Sequence, residues 1–173
     1  MKESVRAKAV TGLLVALRER SPRVMCLGAG RSGSISGAIQ ALGAKVVPGT
    51  AGHFSRNLAG VDVLLLSPMK TATGRRQMDE ALAAARHLGM PVVIDLTGAL
   101  KLRRSVPAVR RMIATATWPV LSGTSDELAA FANPAGKRTD PVRLAAEILQ
   151  SGGLAAIRGS TGMVTNGKNV LRV

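Results

Sequence analysis

The sequence predicts an α/β fold built on a mostly parallel sheet with helices on both faces, and three observations lead there. The run Met90-Pro91-Val92-Val93-Ile94-Asp95-Leu96-Thr97-Gly98 is apolar without alternation until it meets an acid and a glycine, as in a strand covered on both faces. Short runs of this kind alternate with helix-period stretches along the chain. Finally, 173 residues with 46% hydrophobic content and 19 glycines suit one globular domain with a proper core, so a single domain over residues 1–173 is expected.

The elements follow in order. Between Val5 and Arg20, Val10, Leu13, Leu14 and Leu17 recur at three and four, the face of an amphipathic helix that Ser21-Pro22 stops. Arg23 to Leu27 is a short strand. Gly28-Ala29-Gly30-Arg31-Ser32-Gly33 then leads into a helix through Leu42, and Lys45-Val46-Val47 makes a second strand ended by Pro48-Gly49. Val61 to Leu66 reads as a third strand, and Ser67 to Gly74 as a polar loop. The helix expected from Arg75 to Leu88 buries Met78, Leu82 and Ala85 and shows Arg76, Asp79, Glu80 and Arg86 to water. Val92 to Ile94 is the fourth strand, a basic helix spans Arg103 to Ile113, and Trp118 to Ser122 forms the fifth strand.

Gly123-Thr124-Ser125-Asp126-Glu127 turns into another helix, with Thr124 and Glu127 at capping-box spacing. Asp140-Pro141 opens a helix to Gln150 with a cap and a proline at its first position, and Gly152-Gly153 closes it. Leu154 to Ile157 is a strand. Asn166-Gly167, between Gly162-Met163-Val164-Thr165 and Lys168-Asn169-Val170-Leu171, is a hairpin signal. Because an apolar strand with nothing to cover it stands just before Val173, the expectation is a domain shortened at its carboxyl end.

Composition narrows the function. No apolar run approaches the roughly 18 residues of a membrane span, and the amino-terminal residues lead into no signal-type block, so a cytoplasmic protein is expected. One cysteine, Cys26, and two histidines, His53 and His87, offer no zinc cluster. The 24 Lys and Arg against 10 Asp and Glu give a net charge of +14, densest at Lys101, Arg103, Arg104, Arg110 and Arg111. Phe54, Trp118 and Phe131 are too few aromatics for a base-stacking platform, so a solvated basic surface is preferred to nucleic-acid binding. Such charge also draws in nucleotides and other phosphates.

Two stretches carry candidate chemistry. Asp95 ends its strand at the carboxyl edge of the sheet, where ligands bind in open α/β folds, so it can face a metal or a phosphate; it can equally be a turn aspartate that caps the next helix. Gly28, Gly30 and Gly33 match G-x-G-x-x-G between a strand and a helix, where backbone amides approach an anion. No acid follows at the end of the second strand, so the ribose-binding carboxylate of a dinucleotide site is missing. Backbone amides and the Arg31 guanidinium suit a phosphate or carboxylate.

In the order of its motifs the chain resembles the hydroxyethylthiazole kinase family, which has a ribokinase-like fold. Leu13 to Cys26 looks like that family's first helix and strand, and Ala41-Leu42-Gly43-Ala44 like its next helix end. Pro91 to Gly98 is similar to its P-V-V-L-D-P-V-G, Val120 to Leu128 to its V-I-R-G-N-A-S-E-I, and Gly162 to Gly167 to its D-Y-V-T-D-G hairpin. The resemblance implies a ribokinase-like three-layer sandwich, C-terminally incomplete. It also implies ATP- and magnesium-dependent phosphorylation of the hydroxyethyl group of a thiazole alcohol, a step of thiamine salvage, in a homotrimer with the small-molecule pocket between subunits.

Carried over, the resemblance makes Asp95 and Glu127 the acids near the magnesium, and Gly123, Thr124 and Gly159 positions of the nucleotide-side loops. Several motif residues differ. The substrate segment T-N-x-x-x-x-N is replaced by Gly28 to Ser34, R-G-N reads Ser122-Gly123-Thr124, and the threonine of a T-G pair is Arg158. The G-T-G-C segment, with the family's catalytic cysteine, would fall beyond Val173. The expectation is a kinase-like protein with negligible thiazole kinase activity, or a non-catalytic member that binds a phosphorylated small molecule or serves as a partner subunit.

Overall fold

The computed structural model describes residues 12, 15–28, 33–49, 53–69, 71–97, 106–132, 140–149, 152–160 and 162–172. A helix at residues 15–20 (α1) leads through Ser21 and Pro22 into β1 (Arg23–Leu27). There follow α2 (Gly33–Ala41), β2 (Lys45–Pro48), α3 (Phe54–Asn57), β3 (Val63–Leu66), α4 (Ala72–His87) and β4 (Pro91–Asp95). Then come α5 (Val106–Thr115), β5 (Trp118–Thr124), α6 (Ser125–Ala132), α7 (Pro141–Ile148), β6 (Leu154–Arg158), β7 (Met163–Thr165) and β8 (Val170–Arg172).

Among the described residues, eight strands form one sheet in the order β2-β1-β3-β4-β5-β6-β7-β8. From β2 to β6 every neighbouring pair is parallel, and β7 and β8 add antiparallel strands at one edge. The chain steps one way from β1 to β2 and the other way from β3 onward. Right-handed crossovers, the near-universal form, therefore put α2 on one face and α4 and α5 on the opposite one.

Registers fix which side chains share a face. Leu27 stands beside Leu66, Leu66 beside Ile94, Ile94 beside Leu121, and Leu121 beside Ala155. These residues, with Leu64, Val92 and Leu96, are buried together with Met78, Leu82 and Ala85 of α4 and Val109, Met112 and Ile113 of α5. Each such large apolar side chain removed from water contributes about 1.5–3 kcal/mol. The alternate positions Val63, Leu65, Val93 and Val120 point to the other face and are only half-buried.

Several boundaries differ from expectation. The helix expected from Arg75 begins at Ala72 because the Thr71 hydroxyl accepts the Gly74 amide at 3.0 Å and caps it. The third strand begins at Val63, two residues later than expected, and Asp62 accepts the Arg23 amide on its carboxylate at 2.7 Å. The short α3 and its buried Phe54 had no signal in the sequence. Asp140 caps α7 by accepting the Val142 amide at 3.1 Å, with Pro141 in the first position, as the sequence indicated. The Asn166-Gly167 hairpin forms, but Thr165 pairs with Val170, so the connection is four residues, 166–169, and Lys168 lies in the turn.

Candidate functional site

β4 delivers Asp95 to the carboxyl edge, where its neighbour in register is Ser122 of β5. The Leu96 amide still bonds the Ser122 carbonyl at 2.7 Å, after which the chain turns. Thr97 donates to Asp95 Oδ1 twice, from its amide at 3.2 Å and from its hydroxyl at 2.8 Å. Asp95 thus braces its own turn, as short polar side chains do. A helix capped by Asp95 would fall on residues 98–105, which lie outside the described residues. The residue is 5% exposed, so its charge demands a partner.

Glu127 reaches the same edge from the first turn of α6. Thr124 and Glu127 form the capping box: the Thr124 amide donates to Glu127 Oε2 at 2.8 Å and the Glu127 amide to Thr124 Oγ1 at 3.2 Å. Gly123 makes room for this arrangement. A Cβ there would lie 3.3 Å from Glu127 Oε2, 3.1 Å from Leu96 Cβ and 3.3 Å from Leu128 Cδ1.

The two carboxylates meet on Arg158. Register places Arg158 beside Thr124, one strand over from β5. Its Nη2 donates to Thr97 Oγ1 at 2.6 Å and stands 3.6 Å from Asp95 Oδ1 and 3.5 Å from Glu127 Oε2. Two buried acids are thus tied to one guanidinium, whose side chain is 52% exposed. In the sequence Arg158 stands out only as a departure from a motif. Nothing local marks it as the partner of residues 63 and 31 positions earlier.

This arrangement bears on magnesium. A hard divalent ion takes about six oxygens at close to 2.1 Å, supplied mostly by carboxylates, phosphates and water. Here one oxygen of each acid is bonded within the chain, and Arg158 holds the approach between them. No group of three or more His, Cys, Asp or Glu able to hold a metal is found among the described residues. As arranged, the Asp95 and Glu127 donor set does not fit a shared magnesium ion.

The remaining candidates lie only partly within the described residues. Gly28 ends β1 with φ +96°, and a Cβ there would run into the Ser67 carbonyl, so only glycine fits. Gly33 opens α2, while Gly30 and Arg31 lie outside the described residues. Gly159 is exposed beside Arg158. In the basic cluster, Lys101, Arg103 and Arg104 lie outside the described residues; Arg110 sits 5.6 Å over the Phe131 ring and donates to its carbonyl at 3.4 Å.

In the sequence Ser67 looks only like the start of a loop. It follows β3, its amide bonds the Leu27 carbonyl at 2.9 Å, and its buried hydroxyl has no hydrogen-bond partner among the described residues. That places an unpaired hydroxyl between β1 and β3, where the strand order reverses and ligands of open sheets bind.

No family model matches the chain. A hydroxyethylthiazole kinase from Methanocella arvoryzae is 30% identical over 111 residues, covering 57% of this chain and 42% of that protein. The solved structure of a hydroxyethylthiazole kinase from Pyrococcus horikoshii OT3 superposes with a TM-score of 0.80 at 23% identity, over 96% of this chain and 66% of that one. A ribokinase-like superfamily protein from Enterococcus faecalis V583 matches with a TM-score of 0.56 at 11% identity, over 90% of this chain and 63% of that one. The chain therefore spans about two-fifths of the curated relative and just under two-thirds of the solved kinase. With the parallel sheet and the acid at its carboxyl edge already described, these likenesses show that the chain has the ribokinase-like fold of the solved hydroxyethylthiazole kinase and is similar in sequence, over 111 residues, to a curated one.

Proposed function

We propose that this chain is a hydroxyethylthiazole kinase-like protein that binds a phosphate-bearing small molecule at its carboxyl edge, and that ATP-dependent phosphorylation of a thiazole alcohol is impaired in it. The observation that carries the reading is the convergence of Asp95, Thr97, Glu127 and Arg158 at the ends of β4, β5 and β6. In an open parallel sheet that edge is where phosphates are received. Gly123, Thr124 and Gly159 flank it and would form the nucleotide side. Gly28 and Gly33, with Gly30 and Arg31, would take an anion on the other side, beside the Ser67 hydroxyl.

Phosphoryl transfer rests on positioning and on charge stabilisation of the moving group. Magnesium, when bound in such an enzyme, supplies much of that charge. This chain's own residues instead hold their carboxylates on a guanidinium. Losing one preorganised contact to the developing charge commonly costs about 10²- to 10³-fold in rate. The same pairing favours the second reading, a non-catalytic member that binds a phosphorylated ligand or acts as a partner subunit.

Thiamine salvage, cytoplasmic location and a homotrimer belong to this proposal as well. Among the described residues no helix is long and apolar enough to cross a membrane. The surface that favours self-association is the outer strand β8, where Val170 and Leu171 are exposed. Of the helix expected from Arg75 to Leu88, Met78, Leu82 and Ala85 are buried inside the chain and Leu88, just past α4, is exposed.

A coupled ADP-release assay with the thiazole alcohol, run beside Asp95→Asn, tests the reading. Background turnover in both is expected. Turnover of about 1 to 100 per second, abolished by Asp95→Asn, would overturn it. Thermal shift with ATP, the thiazole alcohol and sugar phosphates is expected to respond to the phosphates and not to the neutral alcohol.

A further inference from the structure

We infer that Arg158 is a built-in cation: its guanidinium takes the place of a divalent ion between Asp95 and Glu127, so that this edge receives phosphate without a metal. The inference rests on reading the edge as the phosphate end of a kinase-like fold, and it adds which charge serves there.

Asp95 and Glu127 are both buried, and ionised carboxylates so placed need a cation and hydrogen bonds to stay charged. Each has hydrogen bonds from its own element, Asp95 from Thr97 and Glu127 from Thr124. Those bonds orient the carboxylates but bring no positive charge. Arg158 brings it, with one nitrogen 3.6 Å from Asp95 Oδ1 and 3.5 Å from Glu127 Oε2. The contact through Thr97 fixes the guanidinium further, because Arg158 donates to the Thr97 hydroxyl and that hydroxyl donates to Asp95.

Two features say that the guanidinium faces a ligand as well as the acids. The side chain is half-exposed although its partners are buried, so part of its fork of five donors remains open to solvent. It also stands at the end of β6, followed by the exposed Gly159 and Ser160, on the edge where anions are received. An arginine held this way presents a permanent charge and planar donors to a phosphate.

The test is a divalent-ion titration that does not depend on turnover. Mn²⁺ binding, read by electron paramagnetic resonance, and melting temperature against Mg²⁺ are measured for the whole chain, for Arg158→Thr and Arg158→Gln, and for Asp95→Asn alone and combined with Arg158→Thr. The wild type is expected to show no saturable Mn²⁺ site and no Mg²⁺-dependent stabilisation. Both neutral variants should melt lower and gain a saturable site that Asp95→Asn removes, with Mg²⁺ raising their melting temperature. Inorganic phosphate should stabilise the wild type equally with and without EDTA and should lose this effect in Arg158→Gln.

A wild-type Mn²⁺ site abolished by Asp95→Asn would overturn the inference, as would folded neutral variants that gain none. Should neither neutral variant fold, the wild-type titration with and without Asp95→Asn decides alone. The ADP-release assay stands apart from this: turnover there would sink the reading of an impaired kinase, while metal binding here would sink the role of Arg158.

Discussion

The two faces of the sheet are unequal. On one, the rows running through Leu66, Ile94 and Leu121 are sealed under α4 and α5, with Leu64, Leu66, Val92, Ile94, Leu96 and Leu121 at 0% exposure. On the other, Val63, Leu65, Val93 and Val120 are only half-buried, and it is this row that continues into Asp95 and Ser122. The polar edge thus grows from the less covered face. Packing and chemistry are divided by the period of two in the strands, so neighbouring residues such as Ile94 and Asp95 answer to different constraints.

The largest effect should separate the faces directly. Ile94→Ala is expected to cost about 2–5 kcal/mol in urea denaturation, and Val93→Ala half of that or less. Equal losses would break the comparison. Repeating the melts at two protein concentrations would sharpen it, because a concentration-dependent cost at Val93 would mean that a second copy covers that face.

Next in size is the junction between edge and core. Thr124→Ala removes the cap of α6 and is expected to cost about 1 kcal/mol, with Thr124→Ser nearly neutral. Ser67→Ala should move the other way. Its hydroxyl is buried without a partner among the described residues, so the substitution should be neutral or stabilise by up to about 1 kcal/mol. A loss of that size would show that the hydroxyl is bonded in solution.

The smallest effect concerns Cys26, which shares the half-covered face with Val24. Burial raises the pKa of its thiol above the ordinary value of 9.0. A group whose folded pKa is raised contributes stability that is fully present below the unfolded pKa and lost as pH rises through the folded one. Wild type should therefore lose slightly more stability above pH 9 than Cys26→Ala does, and native Cys26 should alkylate more slowly at pH 8 than the unfolded chain.

Much of the fold was legible because its signals are local. The apolar run at β4, the Thr124–Glu127 spacing, and Asp140-Pro141 each carry their geometry within a few residues, and each formed. The start of α4 is hard to place from sequence because Thr73 and Gly74 look like loop, while the Thr71 cap outweighs their poor helix propensity. At the site, the edge position of Asp95 could be read from the strand that carries it. The partner could not, since Arg158 is brought to Asp95 only by the pairing of β4 with β5 and of β5 with β6. Ser67 escaped for a similar reason: an unpaired hydroxyl is a property of its surroundings, and a serine after a strand looks like any turn residue.

The hairpin turn ties folding order to one small contact. Gly167 has φ +84°, and a Cβ added there would lie 2.7 Å from Cβ of Ala146 in α7. Hairpins close within about 1–10 μs, whereas parallel strands must wait for long loops to close. β7 and β8 can therefore pair early, but their turn has nowhere to settle until α7 has been laid against β6. The two elements should then open as one unit, with amides of α7 and β7 exchanging at a common rate, and Gly167→Ala should accelerate both while leaving β4 protected.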